Sequence, residues 1–369
     1  MKILHILNAI EFSGAEIMLK GGGPILVKNG FDLHALSTGD EIGNFAEILK
    51  RCGYKIHHIP FKKSAKYLVE LYRFLKNNKY DVVHIHTERA FIWYALAAKK
   101  AGVKEIIRTI HSVFNFSGYL RIVRMIQRLI AKKVLGVQFT SIGFSVFKTE
   151  KRVFHNNTFL IPNWISSNNF LPARHENERN QIKVKLGISL TDKVIISVGS
   201  CTYVKNHNDI IIALSELIKK IKNIYYIHLG DGPLQNQEKE LSIKLGVFNR
   251  IKFLGQIENV RDLLISSDIF VMPSRYEGFG ISCLEAASCG IPSVVYNVEG
   301  LRDLIEDGEN GILVEPNPHA MATAIKGLIR NEKLRKRMGI RSRKRVLKYF
   351  NMQDSLEKLM KIYRGERVV

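Results

Sequence analysis

Several features that would assign the chain quickly to a class of protein are missing from its sequence. No uninterrupted apolar run approaches the ~18 residues that suggest a membrane-spanning helix. The four cysteines show neither a Cys-x-x-Cys pair nor the spacing of a zinc site, which favours a reducing cytoplasm over a disulfide framework. There is no serine nucleophile elbow and no Walker loop.

A secretory signal is also missing. The first ten residues, MKILHILNAI, are apolar at the start, but His5 and Asn8 interrupt the apolar run and no small-residue cleavage site follows. We therefore interpret this segment as a first β-strand.

Acidic residues are scarce relative to basic ones. The chain has 56 Lys and Arg against 34 Asp and Glu, a formal net charge of +22. Residues 1–165 contain 25 of these basic residues and only 11 of the acidic ones. Such an excess attracts nucleic acid, anionic lipid headgroups or an acidic substrate, and charge alone does not choose among them.

The order of apolar segments predicts two α/β domains. Short apolar runs such as KILHIL, DVVHIH, KVIISVG and DIFVMPS alternate with helical patterns such as NDIIIALSELIKKI, which is typical of parallel sheets. The alternation stops at the polar, proline-containing stretch that begins at Pro162 and restarts after it. We therefore predict doubly wound domains over residues 1–165 and 166–351, with ligands at the carboxyl ends of the strands.

One segment departs from this pattern. AEIMLKGGGPILVKNG starts as a helix from about Ala15, but three glycines and Pro24 follow in its middle, where glycine costs about 1 kcal/mol and proline about 3 kcal/mol relative to alanine. We expect a broken or partly disordered helix. A glycine-rich phosphate loop is the alternative, but such loops follow a strand directly.

The segment SRYEGFGISCLEAASCG, residues 274–290, has the features of an anion-binding turn. It follows the strand-like run DIFVMPS and leads into a helix that ends at Gly290, so its first glycines lie at a helix N-terminus. Unpaired backbone N–H groups and the helix dipole favour a phosphate there. Glu285 is then placed to accept hydrogen bonds from hydroxyl groups such as a ribose diol, and Glu277 to contact a group beyond the phosphate. The alternative is a tight turn with Glu285 as a solvated helix residue.

Two further turns support a nucleotide-sized ligand. SVGSCTYVKNH, residues 197–207, is a strand followed by a loop in which the ammonium of Lys205 can reach a diphosphate. LGDGPL, residues 229–234, again places glycines just after a strand. Three such turns at the edge of one sheet favour an anionic ligand the size of a nucleotide.

These segments resemble the retaining glycosyltransferases of the GT4 type. The stretch from SRYEGFGISCLEAASCG to ENGILVEP contains two glutamates separated by seven residues, as in that family's donor-site signature, and LGDGPL, FLG and IPN follow the family's order. The resemblance implies the GT-B fold, with two Rossmann-like domains that face a central cleft, the acceptor in the first and the nucleotide sugar in the second. It also implies that the C-terminal helix, residues 352–369, returns to the first domain.

The resemblance assigns roles to individual positions. Glu285 matches the glutamate that holds the ribose, Glu277 the one that contacts the donor sugar, and Lys205 the lysine that pairs with the diphosphate. His111 matches a histidine that lies against the donor sugar, so the predicted catalytic residues are His111, Lys205 and Glu277. The other predicted donor-binding residues are Gly199, Ser200, Gly230, Gly232, Gly278, Phe279, Gly280 and Ile281. On the acceptor side the resemblance points to Ser13, Gly14 and again His111.

Two departures from the family pattern concern these sites. The family usually has an arginine in the turn where Ser200 stands, so Lys205 is either the sole cation on the diphosphate or is joined by another basic residue. The family's first loop usually has paired glycines, whereas here Gly14 stands alone before Ala15-Glu16.

A metal or cofactor is not expected at the donor site, because the chain contains no Asp-x-Asp motif, the usual metal-chelating motif of the other major glycosyltransferase fold. His84 and His86 alternate on one face of a predicted strand and could bind a metal, but no third ligand has a recognisable spacing. Histidines with satisfied hydrogen bonds at the strand end are the favoured interpretation.

The segment YLRIVRMIQRLIAKK, residues 119–133, predicts a basic amphipathic helix. Its cations Arg121, Arg124, Arg128 and Lys132 are in helical register, with apolar residues over much of the remainder. Such a helix can lie on an anionic membrane surface. The alternative is a core-packed helix with a solvated basic stripe.

The resemblance implies a retaining glycosyltransferase that moves a hexose or N-acetylhexosamine from a nucleotide diphosphate sugar, with UDP favoured over GDP. It implies as acceptor a glycan or a glycan linked to polyprenyl diphosphate. We expect the enzyme in the cytoplasm, peripheral at the inner face of the membrane, in bacterial O-antigen, capsule or exopolysaccharide synthesis. A nucleotide-sugar epimerase or hydrolase on the same fold is one alternative. A basic nucleic-acid-binding protein is the other, but it leaves the two glutamates unexplained, and we expect no nucleic-acid partner.

Overall fold

The protein is described from a computed structural model, which covers residues 1–366. The chain folds into two compact units. Unit 1 consists of Met1–Ile165 together with the segment from Met352 onward, and unit 2 of Ser166–Asn351. The chain therefore leaves unit 1, builds all of unit 2 and returns to unit 1.

Unit 1 is built on a seven-stranded parallel sheet in the order β3-β2-β1-β4-β5-β6-β7. Its strands are β1 (Lys2–Leu7), β2 (Asp32–Ser37), β3 (Tyr54–His58), β4 (Val82–Ile85), β5 (Glu105–Ile110), β6 (Gln138–Ser141) and β7 (Phe159–Leu160). Its helices are α1 (Gly14–Lys28), α2 (Ala46–Arg51), α3 (Ala65–Asn78), α4 (Phe91–Ala101), α5 (Gly118–Lys133), α6 (Phe144–Val153) and α15 (Met352–Tyr363).

Unit 2 is built on a six-stranded parallel sheet in the order β10-β9-β8-β11-β12-β13. Its strands are β8 (Lys193–Val198), β9 (Ile224–Leu229), β10 (Ile251–Gly255), β11 (Ile269–Met272), β12 (Ser293–Tyr296) and β13 (Gly311–Val314). Its helices are α7 (Glu176–Lys185), α8 (Asn208–Leu217), α9 (Gln235–Lys244), α10 (Val260–Ile265), α11 (Ile281–Ser288), α12 (Leu301–Leu304), α13 (Pro318–Arg330) and α14 (Glu332–Tyr349), with a 3₁₀ helix at Phe248–Arg250.

Both sheets have the doubly wound form that the alternation of segments predicts. In each, the first strand of the unit lies inside the sheet and the order reverses beside it, between β1 and β4 and between β8 and β11. Ligands of such sheets bind beyond the carboxyl ends of the strands at this reversal. The fold therefore places the loops after β8 and β11 where a ligand of unit 2 is expected.

Helix α1 is continuous, so the predicted break at the three glycines is wrong. The helix runs from Gly14 to Lys28 with Pro24 inside it. An alanine Cβ at Gly23 would lie 2.6 Å from Cε2 of Tyr54, and one at Gly22 would lie 3.1 Å from Cδ2 of Leu356. The glycines let α1 pack closely against neighbouring elements, and this packing outweighs their low helix propensity.

Helix α15 completes the core of unit 1. Its buried side chains Leu356, Leu359, Ile362 and Tyr363 join the same apolar cluster as Ile3, Leu33 and Trp164. The hydroxyl of Tyr363 lies 2.7 Å from Nδ1 of His84, a buried residue of β4. The predicted C-terminal helix thus packs with unit 1, and residues 367–369 of that prediction lie outside the described residues.

Candidate active site

Three of the predicted turns lie side by side in unit 2. They follow β9, β8 and β11, which are neighbours in the sheet. Backbone hydrogen bonds join the turns: the Cys201 N–H donates to the Asp231 carbonyl at 2.9 Å, and the Arg275 N–H donates to the Val204 carbonyl at 2.8 Å. The predicted donor-binding residues therefore belong to one continuous edge of the sheet.

Close contact between the turns after β8 and β9 requires glycine. Gly230 has φ 145°, and a Cβ there would collide with the Gly199 carbonyl oxygen. Gly232 has φ 153°, and a Cβ there would lie 2.7 Å from the Cys201 carbonyl oxygen. Any side chain at these two positions would push the turns apart, because the backbones occupy the space it needs.

The third turn ends in an open helix N-terminus. Helix α11 begins at Ile281, and the residue before it, Gly280, has φ 85°. No side chain of the described residues caps this end, so its first N–H groups are available to an anion. Phe279 packs its ring into unit 2 against Phe350, with centroids 5.4 Å apart, and can serve a ligand only through its backbone.

The ionisable residues predicted for the donor meet on this edge. Lys205 forms an ion pair with Glu277, whose Oε1 also accepts a hydrogen bond from the Ser274 hydroxyl at 2.8 Å. Glu285 is buried within α11. Ser200 is exposed in the turn after β8. A cation, two carboxylates and a helix N-terminus are thus assembled on a single sheet edge.

Arg275 is a second cation on the same edge, and the sequence did not single it out. Its guanidinium lies 3.2 Å from the Asn206 side-chain oxygen and 4.3 Å from the centre of the Tyr203 ring. The residue belongs to the anion-binding segment 274–290 that the sequence identifies. Arg275 lies on this edge because the 202–206 loop pairs with the 274–277 turn, and the sequence alone does not reveal that pairing.

The predicted histidine of unit 1 belongs to a chain of histidines. His111 follows β5 directly, and its Nε2 lies 2.8 Å from Nδ1 of His86, whose Nε2 lies 2.9 Å from Nδ1 of His5. Burial, with the charge of Arg108 beside it, lowers the pKa of His111 to about 4. His111 is therefore neutral at physiological pH and can exchange a hydrogen bond with its histidine neighbour.

The pair His84 and His86 has satisfied hydrogen bonds, as the favoured interpretation predicted. His84 contacts the hydroxyls of Tyr363 at 2.7 Å and Thr109 at 2.6 Å, so both of its ring nitrogens have partners. His5 brings a third ring close to the pair. Burial lowers the pKa of His84 and of His86 well below the usual range, which keeps both rings neutral.

Two of the three predicted acceptor-side residues, Ser13 and Gly14, lie at the start of α1. Ser13 is the N-cap of this helix and its hydroxyl accepts a hydrogen bond from the Ala15 N–H at 3.3 Å. The same hydroxyl donates to the buried carboxyl of Glu16. Burial raises the pKa of Glu16 to about 7. Gly14 begins the helix.

The basic stripe predicted on α5 is not a solvated face. Arg128 is buried and donates to Glu150 at 2.9 Å, and both Arg124 and Arg128 form ion pairs with Glu88. Two of the four predicted cations therefore point into unit 1, where they meet carboxylates. The ion pairs turn Arg124 and Arg128 inward, whereas Arg121 and Lys132 are exposed as the stripe prediction assumed.

The apolar side of α5 is consequently the exposed one. Tyr119 is 82% exposed, Leu129 58% and Val134, just after the helix, 66%. Exposed apolar patches of this kind mark interaction surfaces. Within residues 1–366, no helix combines the length and the apolar character that a membrane crossing requires.

Two family models match the chain, one in each unit. The model described as "Glycosyltransferase Family 4" matches residues 13–141. The model described as "Glycosyl transferases group 1" matches residues 178–345. This range includes every residue predicted to bind the donor on the turns after β8, β9 and β11, which we call the donor edge.

Known proteins of similar sequence and fold agree with these models. The chain is 27% identical over 318 residues to the UDP-Gal:alpha-D-GlcNAc-diphosphoundecaprenol alpha-1,3-galactosyltransferase of Escherichia coli, covering 83% of this chain and 81% of that one. A glycosyltransferase from Rickettsia africae has the same fold, with a TM-score of 0.82, 20% identity and coverage of 99% and 98%. HepE of Anabaena, solved in complex with UDP, gives a TM-score of 0.83 at 18% identity, with coverage of 99% and 100%.

Proposed function

Because the chain belongs to the GT4-type glycosyltransferases, which have the GT-B fold, we propose that it is a retaining enzyme that transfers a hexose or N-acetylhexosamine from a UDP-sugar to a glycan acceptor. The observation that carries the proposal is the sheet edge of unit 2. There Lys205, Glu277 and the N-terminus of α11 lie on loops that are bonded to one another.

The diphosphate is the chemical group that this edge fits best. Lys205 and the first N–H groups of α11 stabilise the negative charge that develops on the diphosphate as its bond to the sugar breaks. Arg275 supplies the second cation that Ser200 cannot. The bond between the anomeric carbon and the diphosphate oxygen breaks while the acceptor oxygen bonds to that carbon from the same face. The acceptor proton passes to a phosphate oxygen. Glu285 holds the ribose hydroxyls and Glu277 contacts the sugar.

The role of His111 is a separate part of the proposal. The family resemblance gives it the donor sugar as its partner, and its neutral ring can donate or accept one hydrogen bond there. We expect His111→Ala to lower kcat while the affinity for UDP is unchanged, because UDP lacks the sugar. Loss of UDP affinity in this variant would contradict the assignment.

We propose UDP as the nucleotide and no divalent cation at the diphosphate. The Escherichia coli relative is named for a UDP-sugar and HepE was solved with UDP, which supports the choice of base. The cations available on this edge, with no Asp-x-Asp in the chain, support direct neutralisation by the protein. Turnover should therefore be the same with and without added Mg²⁺ or Mn²⁺.

We propose a lipid-linked acceptor for the same reaction, in bacterial surface polysaccharide synthesis at the inner face of the membrane. The Escherichia coli relative is named for an acceptor carried on diphosphoundecaprenol. The exposed apolar side of α5 and the basic excess of residues 1–165 would suit a surface of anionic lipid. Binding to vesicles with anionic lipid, weakened in an Ile126→Gln, Leu129→Gln variant and unchanged in Ile340→Gln of unit 2, is the expected result.

Calorimetric titration tests the donor site first. UDP and GDP are titrated into the protein and into Glu285→Ala at matched ionic strength. Micromolar binding of UDP that the variant loses supports the proposal. Equal weak binding of both nucleotides, unchanged in the variant and abolished by salt, would refute it, and release of free sugar without an acceptor would indicate a hydrolase.

A further inference from the structure

Four buried side chains of unit 2 converge on one point next to the donor edge. They are Cys201 in the loop after β8, His207 just before α8, His228 in β9 and Glu238 in α9. One ligating atom from each lies within 4.8 Å of all the others. None of the four has a role in the glycosyl transfer proposed above.

Four distances within this cluster bracket those between the ligand atoms of a tetrahedral metal ion. Nε2 of His228 lies 3.0 Å from Nδ1 of His207, 2.9 Å from Oε2 of Glu238 and 3.9 Å from Sγ of Cys201. Nδ1 of His207 lies 3.3 Å from Oε1 of Glu238. Tetrahedral zinc, with bonds of about 2.0 Å to nitrogen or oxygen and about 2.3 Å to sulfur, separates its ligand atoms by about 3.3 to 3.6 Å.

With Glu238 ionised, hydrogen bonding alone leaves the cluster in conflict. An ionised carboxylate only accepts hydrogen bonds, so each ring nitrogen that faces Glu238 must carry a proton to bond with it. If both His207 and His228 carry that proton, two N–H donors face each other at 3.0 Å. If one of them does not, its lone pair faces a carboxylate oxygen. A cation between the groups accepts the lone pairs of all of them.

The remaining nitrogen of His228 is compatible with this arrangement. Nδ1 of His228 is buried and has no hydrogen-bond partner among the described residues. When Nε2 binds a metal ion, the ring proton resides on Nδ1 and the Nε2 lone pair is directed at the cluster centre.

We propose that Cys201, His207, His228 and Glu238 bind a structural Zn²⁺ ion. One sulfur, two nitrogens and one carboxylate oxygen in a closed, buried set are the ligands and coordination number of structural zinc. The ion joins the loop that carries Lys205 to β9 and α9, and does not contact the donor. Binding deprotonates the Cys201 thiol and releases its proton to solvent.

Metal content and cobalt substitution test the site independently of enzymatic activity. Protein without a histidine tag, produced with added zinc, should contain one zinc per chain. Apoprotein reconstituted with Co²⁺ should show tetrahedral d–d absorption and a thiolate-to-cobalt charge-transfer band. The band identifies this cluster, because the His5, His84 and His86 group contains no thiol.

Variants assign the ligands. Cys201→Ser should lose the charge-transfer band, whereas Cys283→Ser, at another buried cysteine of unit 2, should keep it. His228→Ala should weaken zinc binding at least about 100-fold, since even changes around the ligands cost about 10- to 100-fold. Circular dichroism shows whether each variant is folded.

The wild-type protein alone can overturn the proposal. If its apoprotein, folded by circular dichroism, neither competes with a chromophoric chelator for zinc nor shows tetrahedral cobalt absorption, the cluster is a hydrogen-bonded network without metal. The UDP titration is a separate measurement, so failure of the zinc site and failure of the donor site are distinguishable.

Discussion

Lys205 is the side chain whose removal tests the donor edge most directly. Lys205→Met removes the cation that we propose to face the departing diphosphate, and it approximately keeps the length of the side chain. We expect kcat/KM to fall by about 10²- to 10³-fold, the effect of removing one group that stabilises transition-state charge. Lys244→Met, at an exposed position of α9, is the control and should retain full activity. An equal loss in both variants would count against a specific role.

The raised pKa of Glu16 predicts how the free energy of unfolding changes with pH. Its folded-state pKa of about 7 is above the unfolded value of 4.5, because burial disfavours the charged carboxylate. The folded state therefore holds a proton that the unfolded state releases. Ionisation of this carboxyl leaves the free energy of unfolding unchanged below about pH 4.5 and lowers it progressively between about pH 4.5 and 7. Above that range the reduction is complete.

The isosteric variant Glu16→Gln removes this titration. It should be more stable than the wild type at pH 8, by about 2 to 3 kcal/mol, and similar to it at pH 4. Thermal unfolding midpoints of the two proteins across this range provide the measurement. A difference that does not change with pH would show that Glu16 is not titrating as described.

At the level of secondary structure, the surroundings of one glycine in α1 and one in α13 predict opposite effects of substitution by alanine. An alanine at Gly23 meets Tyr54 at 2.6 Å and the Cys52 carbonyl oxygen at 2.9 Å, so Gly23→Ala should destabilise the protein by about 1 to 3 kcal/mol. At Gly327 in α13 nothing lies within 4 Å, so Gly327→Ala should stabilise it by about 0.5 to 1 kcal/mol. The free energies of unfolding of both variants in urea test this expectation, and equal changes in the two would contradict the packing argument.

The strands that the sequence predicts best are the ones buried on both faces. Runs such as KILHIL and KVIISVG are predominantly apolar, and β1 and β8 lie inside their sheets with most of their residues buried. Strand β2 contains His34 and a terminal serine, and β7 has two residues, so neither has a continuous apolar run. The prediction of a broken α1 was wrong because helix propensity depends only on the local sequence. The glycines of α1 are needed for close packing against Tyr54 and Leu356, which are distant in sequence.

The donor edge was predictable because each of its turns is contiguous in sequence and follows a recognisable strand. The proposed zinc cluster was not, because its four residues come from three segments, the β8–α8 loop, β9 and α9, and only the adjacency of β8 and β9 brings Cys201 and His228 together. The ion pairs of Arg128 with Glu88 and Glu150 were missed for the same reason. Motifs within one segment can therefore be identified in the sequence, whereas contacts between segments require the structure.

At the scale of the whole molecule, the return of α15 to unit 1 predicts which unit a truncation damages. Deleting residues 352–366 removes Leu356, Leu359 and Tyr363 from the apolar core of unit 1 and removes nothing from the core of unit 2. We expect unit 1 to lose protection against proteolysis and hydrogen exchange, while unit 2 keeps its protection and its affinity for UDP. Mass spectrometry of protected peptides measures both units at once, and protection that survives equally in both would contradict the role assigned to α15.

The return of the chain to unit 1 also orders events on the ribosome. Unit 2 is contiguous, and every residue of its core precedes α15 in the chain. Unit 1 begins first, but its apolar core is incomplete until α15 emerges and supplies Tyr363 to His84. All of unit 2 therefore leaves the ribosome before the last helix of unit 1. During that interval, exposed apolar surface near the N-terminus is what a chaperone would find to bind.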